Sequence, residues 1–390
     1  MKKAALIVFG EDWNRHPSST QHLMVRLASE RRILWVNSIG LRRPRFNRSD
    51  LARARRKAAM MLTRQSAATT RDDRPENPSV IDPWALSWPG APLVSAVNRR
   101  LFSHRLSQAA AALGDRPILW CSLPSAVDAV GLFNEAGVVY YAGDDFSALE
   151  GVDHGPVERQ ERALCARADL VIAASPALKT RLEAMGARDV MVLEHGCDVG
   201  LFSTPVSRAA DLPDGAPVAG YYGAIADWLD TDLILDVANA ARDWRFVFIG
   251  PVKTDIDRLR AARNITILPA VAHERLPAYS QHWDVSLLPF RDTAQIRACN
   301  SLKMREYLAA GSPVVATTPT PLHGLEAHIA KAATPDAFLA ALNLAARKKS
   351  TEDAARRRAA VADQSWDARA ADLDAGLERR FTQFASQRVA

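Results

Sequence analysis

Two Rossmann-like α/β domains in series are predicted by three observations: the length of the chain, its rhythm, and a break in that rhythm. At 390 residues the chain exceeds one ordinary domain and suits two of about 150 to 200 residues each. Short Val- and Ile-rich runs alternate with helical patterns throughout, as βα units of a parallel sheet do. The stretch 203–217 (STPVSRAADLPDGAP) interrupts the alternation with Pro, Ser, Asp and Gly and reads as a linker. The expected division is therefore 1–205, 206–365 and a C-terminal helix over 366–390, with function expected in a cleft between the domains.

In the first domain the predicted strands are 4–9, 32–36, 117–121, 138–142, 170–174 and 190–194. The opening, MKKAALIVFG, imitates a signal peptide, but its apolar run of about seven residues meets Glu11 and Asp12 where a small-residue cleavage site should stand, so it is read as a buried strand. The second domain restarts with strands over 218–222, 245–249, 265–268, 285–289 and 313–317. In the tail, Leu373, Leu377, Phe381 and Phe384 recur at helical spacing and leave one apolar face to bury. Packing back onto the first domain satisfies that face; swapping onto another subunit is the alternative.

A composition of 48% hydrophobic and 24% charged residues excludes collagen-like, disordered and multi-span membrane chains. No run approaches 18 apolar residues, so no transmembrane helix is expected. Cys121, Cys165, Cys197 and Cys299 form no CxxC pair, which disfavours a zinc site and a disulfide framework and fits a reducing cytoplasm. The net charge of +6 is unevenly spread: residues 1–110 hold 20 Lys/Arg against 8 Asp/Glu. Its densest part, 42–64, sets nine basic residues against Asp50 alone, a patch suited to a polyanion, either nucleic acid or an anionic membrane.

Ligands of open α/β sheets bind beyond the carboxyl ends of the strands, so polar residues just after strands are the candidates. Gly220-Tyr-Tyr-Gly223-Ala224-Ile225 closes the first strand of the second domain, where glycine permits close approach and helix-start amides can hold phosphate; a plain tight turn is the alternative. In the segment from Asn300 through Ser301, Lys303 and Glu306 to Thr317, Lys303 and Glu306 share a helical face. The lysine can meet a diphosphate and the carboxylate two ribose hydroxyls; a surface salt bridge is the competing reading. Asp144 and Asp145 follow the strand 138–142 and are placed to act as a base, or to cap a helix. Gln21 and His22 fall in the first turn after a Ser18 or Ser19 cap.

Several of these words occur together and in order: HGCDVGLF (195–202), GYYGAIADWLD (220–230), FVFIGP (246–251), LPAYSQHWDVSLLPF (276–290) and EYLAAGSPVVAT (306–317). The series resembles GT-B glycosyltransferases over most of 138–320, with the nearest likeness to bacterial exopolysaccharide and teichuronic-acid type enzymes, including xanthan-pathway-like glucuronosyltransferases. The resemblance implies a GT-B fold in which Lys303 and Ser301 meet the donor diphosphate region and Glu306 the ribose. Gly223, Ala224 and Ile225 would then meet the phosphate or sugar, Val271 the nucleobase through its backbone, and Phe290 would line the pocket. It also implies that Asp144, or Asp145 if the match is off by one, is the base, and that Gln21, His22 and His195 contact acceptor or sugar. Retaining relatives often carry Glu-x7-Glu on this helix; here the first position is Ala298, so inversion is expected.

The implied activity is transfer of a sugar from a nucleotide donor, UDP-linked by frequency among relatives, to a polyprenyl-diphosphate-linked glycan, with no metal or other cofactor. The protein would sit peripherally on the inner face of the cell membrane, through Arg53, Arg55, Arg56, Met61 and Leu62, with Trp84 and Trp88 adding aromatic contact. A sugar-nucleotide epimerase sharing the donor pocket is the alternative enzyme. A non-catalytic nucleic-acid-binding protein is the alternative class, but no nucleic-acid motif accompanies the arginines.

Overall fold

The structure, a computed structural model, describes residues 3–13, 18–41, 43, 77–114, 116–149 and 151–387, with the backbone alone for 382–387. The chain divides into two compact units, 1–193 with 372–390, and 194–371. Both are α/β with wholly parallel sheets, as the alternation of strand and helix requires.

The first unit holds seven strands: β1 (Leu6–Phe9), β2 (Ile33–Val36), β3 (Ser79–Ile81), β4 (Ile118–Cys121), β5 (Gly137–Ala142), β6 (Leu170–Ala173) and β7 (Val190–Val192). Their order, β3-β2-β1-β4-β5-β6-β7, reverses direction between β1 and β4, the switch point of a doubly wound sheet. β1, β2, β4, β5 and β6 are buried at every position, which is why they read as unbroken apolar runs. The edge strand β3 has three partly exposed residues and left no such run.

The helix Trp366–Gln387 contributes its residues from Asp372 onward to this unit. Leu373 and Leu377 are fully buried there, and Phe381 lies over Gly137, where a Cβ would stand 2.2 Å from its ring. The buried Arg31 ties the polar side of the helix, donating to Asp374 at 2.9 Å and Glu378 at 2.5 Å. Among the described residues no helix is long and apolar enough to cross a membrane.

The second unit holds β8 (Val218–Tyr222), β9 (Arg245–Ile249), β10 (Ile265–Leu268), β11 (Val285–Leu288), β12 (Val314–Thr317) and β13 (Ile329–Ala332), in the order β10-β9-β8-β11-β12-β13. Its switch point lies between β8 and β11, which pair Val285 with Ala219 and Ser286 with Gly220. Gly220 is required by packing, because a Cβ there would stand 1.8 Å from the buried Trp283 ring. The expected linker 203–217 is packed onto this unit. Ala209 and Leu212 belong to its core, the Ala209 amide donates to Ala278 at 2.9 Å, and Tyr279 donates to Asp211 at 2.8 Å. Its Pro and Asp content signals missing regular structure, and tertiary contacts hold it nonetheless; the units accordingly divide at 193/194.

Candidate functional site

In the second unit, the turn after β8 brings three elements together. Gly223 has φ +131, and a Cβ on it would stand 2.2 Å from Lys303 Cε. Gly250, with φ +147 at the end of β9, packs against the Gly223 carbonyl, where a Cβ would stand 2.0 Å from the oxygen. Two glycines in the left-handed region thus open the floor on which the Lys303 side chain lies. The Gly223 amide donates to Ile249 at 2.8 Å and the Ile225 amide to Pro251 at 2.9 Å. Within 223–225, therefore, Ala224 is the residue whose amide has no partner among the described residues.

Lys303 sits in the first turn of the helix Leu302–Ala309, with its ammonium 5.6 Å from the Tyr221 ring centroid. Ser301 occupies the N-cap position but makes no side-chain cap, and no acidic residue stands in the first turn. The amides at this helix start, with an ammonium beside them, form a cationic surface suited to an anion. Lys303 itself has no hydrogen bond or ion pair among the described residues.

Glu306 lies one turn further along the helix and is buried. Burial raises its pKa, opposed by His273, Tyr222 and Lys303. His273 Nε2 is 3.8 Å from its carboxylate. The Tyr222 hydroxyl is buried beside it but outside good hydrogen-bond geometry. A carboxylate held in this way has open acceptor positions for hydroxyl donors. Val271 is partly buried on the same core, two residues before His273. Phe290 is itself buried and meets Tyr221 edge-on at 6.4 Å, one ring removed from Lys303.

The loop before this helix is fixed by a polar cluster that the sequence did not disclose. Fully buried Arg305 donates to Gln364 at 2.7 Å and Glu194 at 2.7 Å, and also to Asn300. His323 meets the Cys299 carbonyl at 3.0 Å. Both bonds hold residues 299–300 just ahead of the helix start. His195 is buried with its ring 6.4 Å from that of Trp366, and an isolated bridge between Cys197 and Ser365 ties the HGCD segment to the residues just before the last helix.

In the first unit, residues after β1 and β5 converge. Ser18 caps the helix Ser19–Leu27 by accepting from the Gln21 amide at 3.3 Å, and its hydroxyl donates to Glu11 at 2.9 Å. The Gln21 side chain donates to the Asp12 carbonyl at 3.3 Å, ordering the loop after β1; His22 is half-buried in the same turn. Asp145 is engaged: it accepts from the Ser147 amide at 2.9 Å and hydroxyl at 2.6 Å, and faces Arg181 at 3.2 Å. Asp144 has no hydrogen bond or ion pair among the described residues. Desolvation, then the neighbouring Asp145 charge, raises its pKa, although water still reaches the side chain and screens the effect.

Glu11, which in the sequence only stands where a signal-peptide cleavage site would be, also belongs to this group. Its carboxyl is also pushed up, by desolvation and then by Asp144 and Asp12. The only signal for it was position, directly after β1 at the switch point. Arg53, Arg55, Arg56, Met61 and Leu62 lie outside the described residues.

Residues 216–347 match the family described as glycosyl transferases group 1. A putative teichuronic acid biosynthesis glycosyltransferase, TuaH, of Bacillus subtilis (strain 168) is 28% identical over 242 residues, taking in 55% of this chain and 60% of that protein. Among solved structures, sucrose-phosphate synthase from Thermosynechococcus elongatus aligns with a TM-score of 0.69 at 14% identity, over 98% of this chain and 100% of that one. Anabaena Alr3699/HepE in complex with UDP aligns with a TM-score of 0.57 at 16% identity, over 99% and 98%. The two parallel sheets are those of the GT-B fold.

Proposed function

We propose, from the premise that residues 216–347 are a glycosyltransferase domain of group 1, that this protein transfers a sugar from a UDP-linked donor to a polyprenyl-diphosphate-linked glycan in bacterial surface or exopolysaccharide synthesis. The observation that carries this reading is Lys303: an ammonium without an ion-pair partner among the described residues, laid over Gly223 at a helix start without a side-chain cap. The UDP bound to the Anabaena neighbour supports the choice of base.

In this proposal Lys303, the amides at Ser301–Lys303 and the Ala224 amide neutralise the diphosphate, with no metal required. Glu306 accepts from the ribose hydroxyls. Asp144 takes the proton from the acceptor hydroxyl as that oxygen bonds to the anomeric carbon. The bond from that carbon to the diphosphate breaks, and UDP leaves with the electron pair, so the configuration inverts. Asp144 suits the role of base over Asp145, which is committed to Ser147 and Arg181. The basic segment containing Arg53, Arg55 and Arg56, with Met61 and Leu62, would hold the enzyme against the inner face of the cell membrane.

Thermal-shift measurements against UDP, GDP, dTDP and ADP test the donor assignment, because a ligand that binds the native state alone raises its apparent stability. UDP should stabilise most. No response to any of the four would overturn the donor site, and consumption of a free nucleotide sugar without acceptor would replace transfer by epimerisation.

A further inference from the structure

The loop after β3 inverts the usual pattern of a soluble surface. Trp84, Leu86 and Trp88 alternate outward with exposures of 45%, 50% and 47%, while Pro83 and Pro89 point inward and are buried. Leu93, 84% exposed, and Val97 extend this apolar ridge one turn apart along the helix Pro92–Ala112. The ridge is rigidly mounted. The buried Asn98 side chain accepts from the Leu86 amide at 2.8 Å and donates to the Leu86 carbonyl at 3.1 Å. Exposing five large apolar side chains on a built surface costs solvation free energy that an occupant would recover.

The surroundings name the occupant. Arg43 stands over the Trp88 ring at 5.4 Å and Arg105 over the Trp84 ring at 5.7 Å. From Arg43 the chain runs through nine basic and four acidic residues before Asn77. Tryptophan with a stacked guanidinium suits the level where acyl chains meet headgroups, the ring in the apolar side and the cation on phosphate.

We propose that Trp84, Leu86, Trp88, Leu93 and Val97 form a docking surface that enters the headgroup boundary of an anionic bilayer. The proposal rests on the membrane-side reading of the enzyme and is independent of the donor site. The test is co-sedimentation of the full chain with phosphatidylcholine vesicles, with and without about one third phosphatidylglycerol. The parent should bind the anionic vesicles and shift its tryptophan emission to the blue. The combined variant Trp84→Ser, Trp88→Ser, Leu93→Ser should bind roughly tenfold or more weakly. It should keep the parent's UDP-induced thermal shift, which reports folding; for a variant without that shift, far-ultraviolet circular dichroism and the single substitution Leu93→Ser serve instead. Undiminished binding by the folded variants, or no binding by the parent, overturns the proposal, as does a parent dimer that the substitutions dissociate. Loss of vesicle binding with UDP response intact supports it, and a parent that binds vesicles but no nucleotide would sink the donor reading alone.

Discussion

Gly223 lies directly beneath Lys303: a Cβ at the glycine would stand 2.2 Å from the lysine Cε and 2.9 Å from Nζ. The lysine's position therefore depends on a residue eighty positions away having no side chain. Gly223→Ala should displace the ammonium and strain the φ +131 backbone. UDP affinity, measured calorimetrically, should fall roughly tenfold or more. Parent-like affinity would show that Lys303 does not depend on this floor.

Lys303→Ala should weaken UDP binding by about 1.5 to 3 kcal/mol, the range for a hydrogen bond to a charged group. Lys303→Arg keeps the charge but needs more room over Gly223 and should recover only part. Unchanged affinity in a folded Lys303→Ala protein removes the residue from the site.

Asp144→Asn should lower turnover by about 10²- to 10⁴-fold, because it removes a positioned base while preserving shape. Donor affinity should hardly change. Asp145→Asn should act through stability instead, loosening the Ser147 turn and the Arg181 contact. The product's anomeric configuration, read by NMR, checks the mechanism: retention discards it, and full activity in Asp144→Asn reassigns the base.

Stability should depend on pH through the same carboxyl. The folded protein raises the Asp144 pKa, so the neutral form is favoured by folding. Its contribution is fully present below the unfolded value of about 3.9 and is lost as pH rises through the folded value. Asp144→Asn should accordingly raise the melting temperature at pH 7 to 8 and leave it near the parent's close to pH 4. The exposure of Asp144 keeps this effect small, and a lower melting temperature at neutral pH would contradict the raised pKa.

Arg305→Met should destabilise the second unit by about 1.5 to 3 kcal/mol, the range for losing hydrogen bonds to a charged group. It removes one partner of Glu194, which keeps His323 at 3.4 Å, and frees Asn300 ahead of the Lys303 helix. Chemical denaturation reads the loss, and a change under about 1 kcal/mol would show that His323 and Gln364 suffice to hold the loop.

The sequence alone determined the α/β class and most of the strands, because a strand buried on both faces must be apolar throughout, and β8, β9 and β10 begin and end where the runs do. It also marked Lys303, Glu306 and Asp144, since helix spacing and strand ends are local properties. What needed the tertiary structure was everything set by distant partners. The edge strands β3 and β13 borrow their pairing from a neighbour and carry little apolar signal of their own. The segment 203–217 is held by contacts to Ala278 and Tyr279 that its polar composition conceals. Glu11 joins Asp144 only when β1 and β5 lie in one sheet, and Gly223 matters only with Lys303 above it. Periodicity records which side of an element is buried; the identity of the atoms that bury it is decided only when the chain folds back on itself.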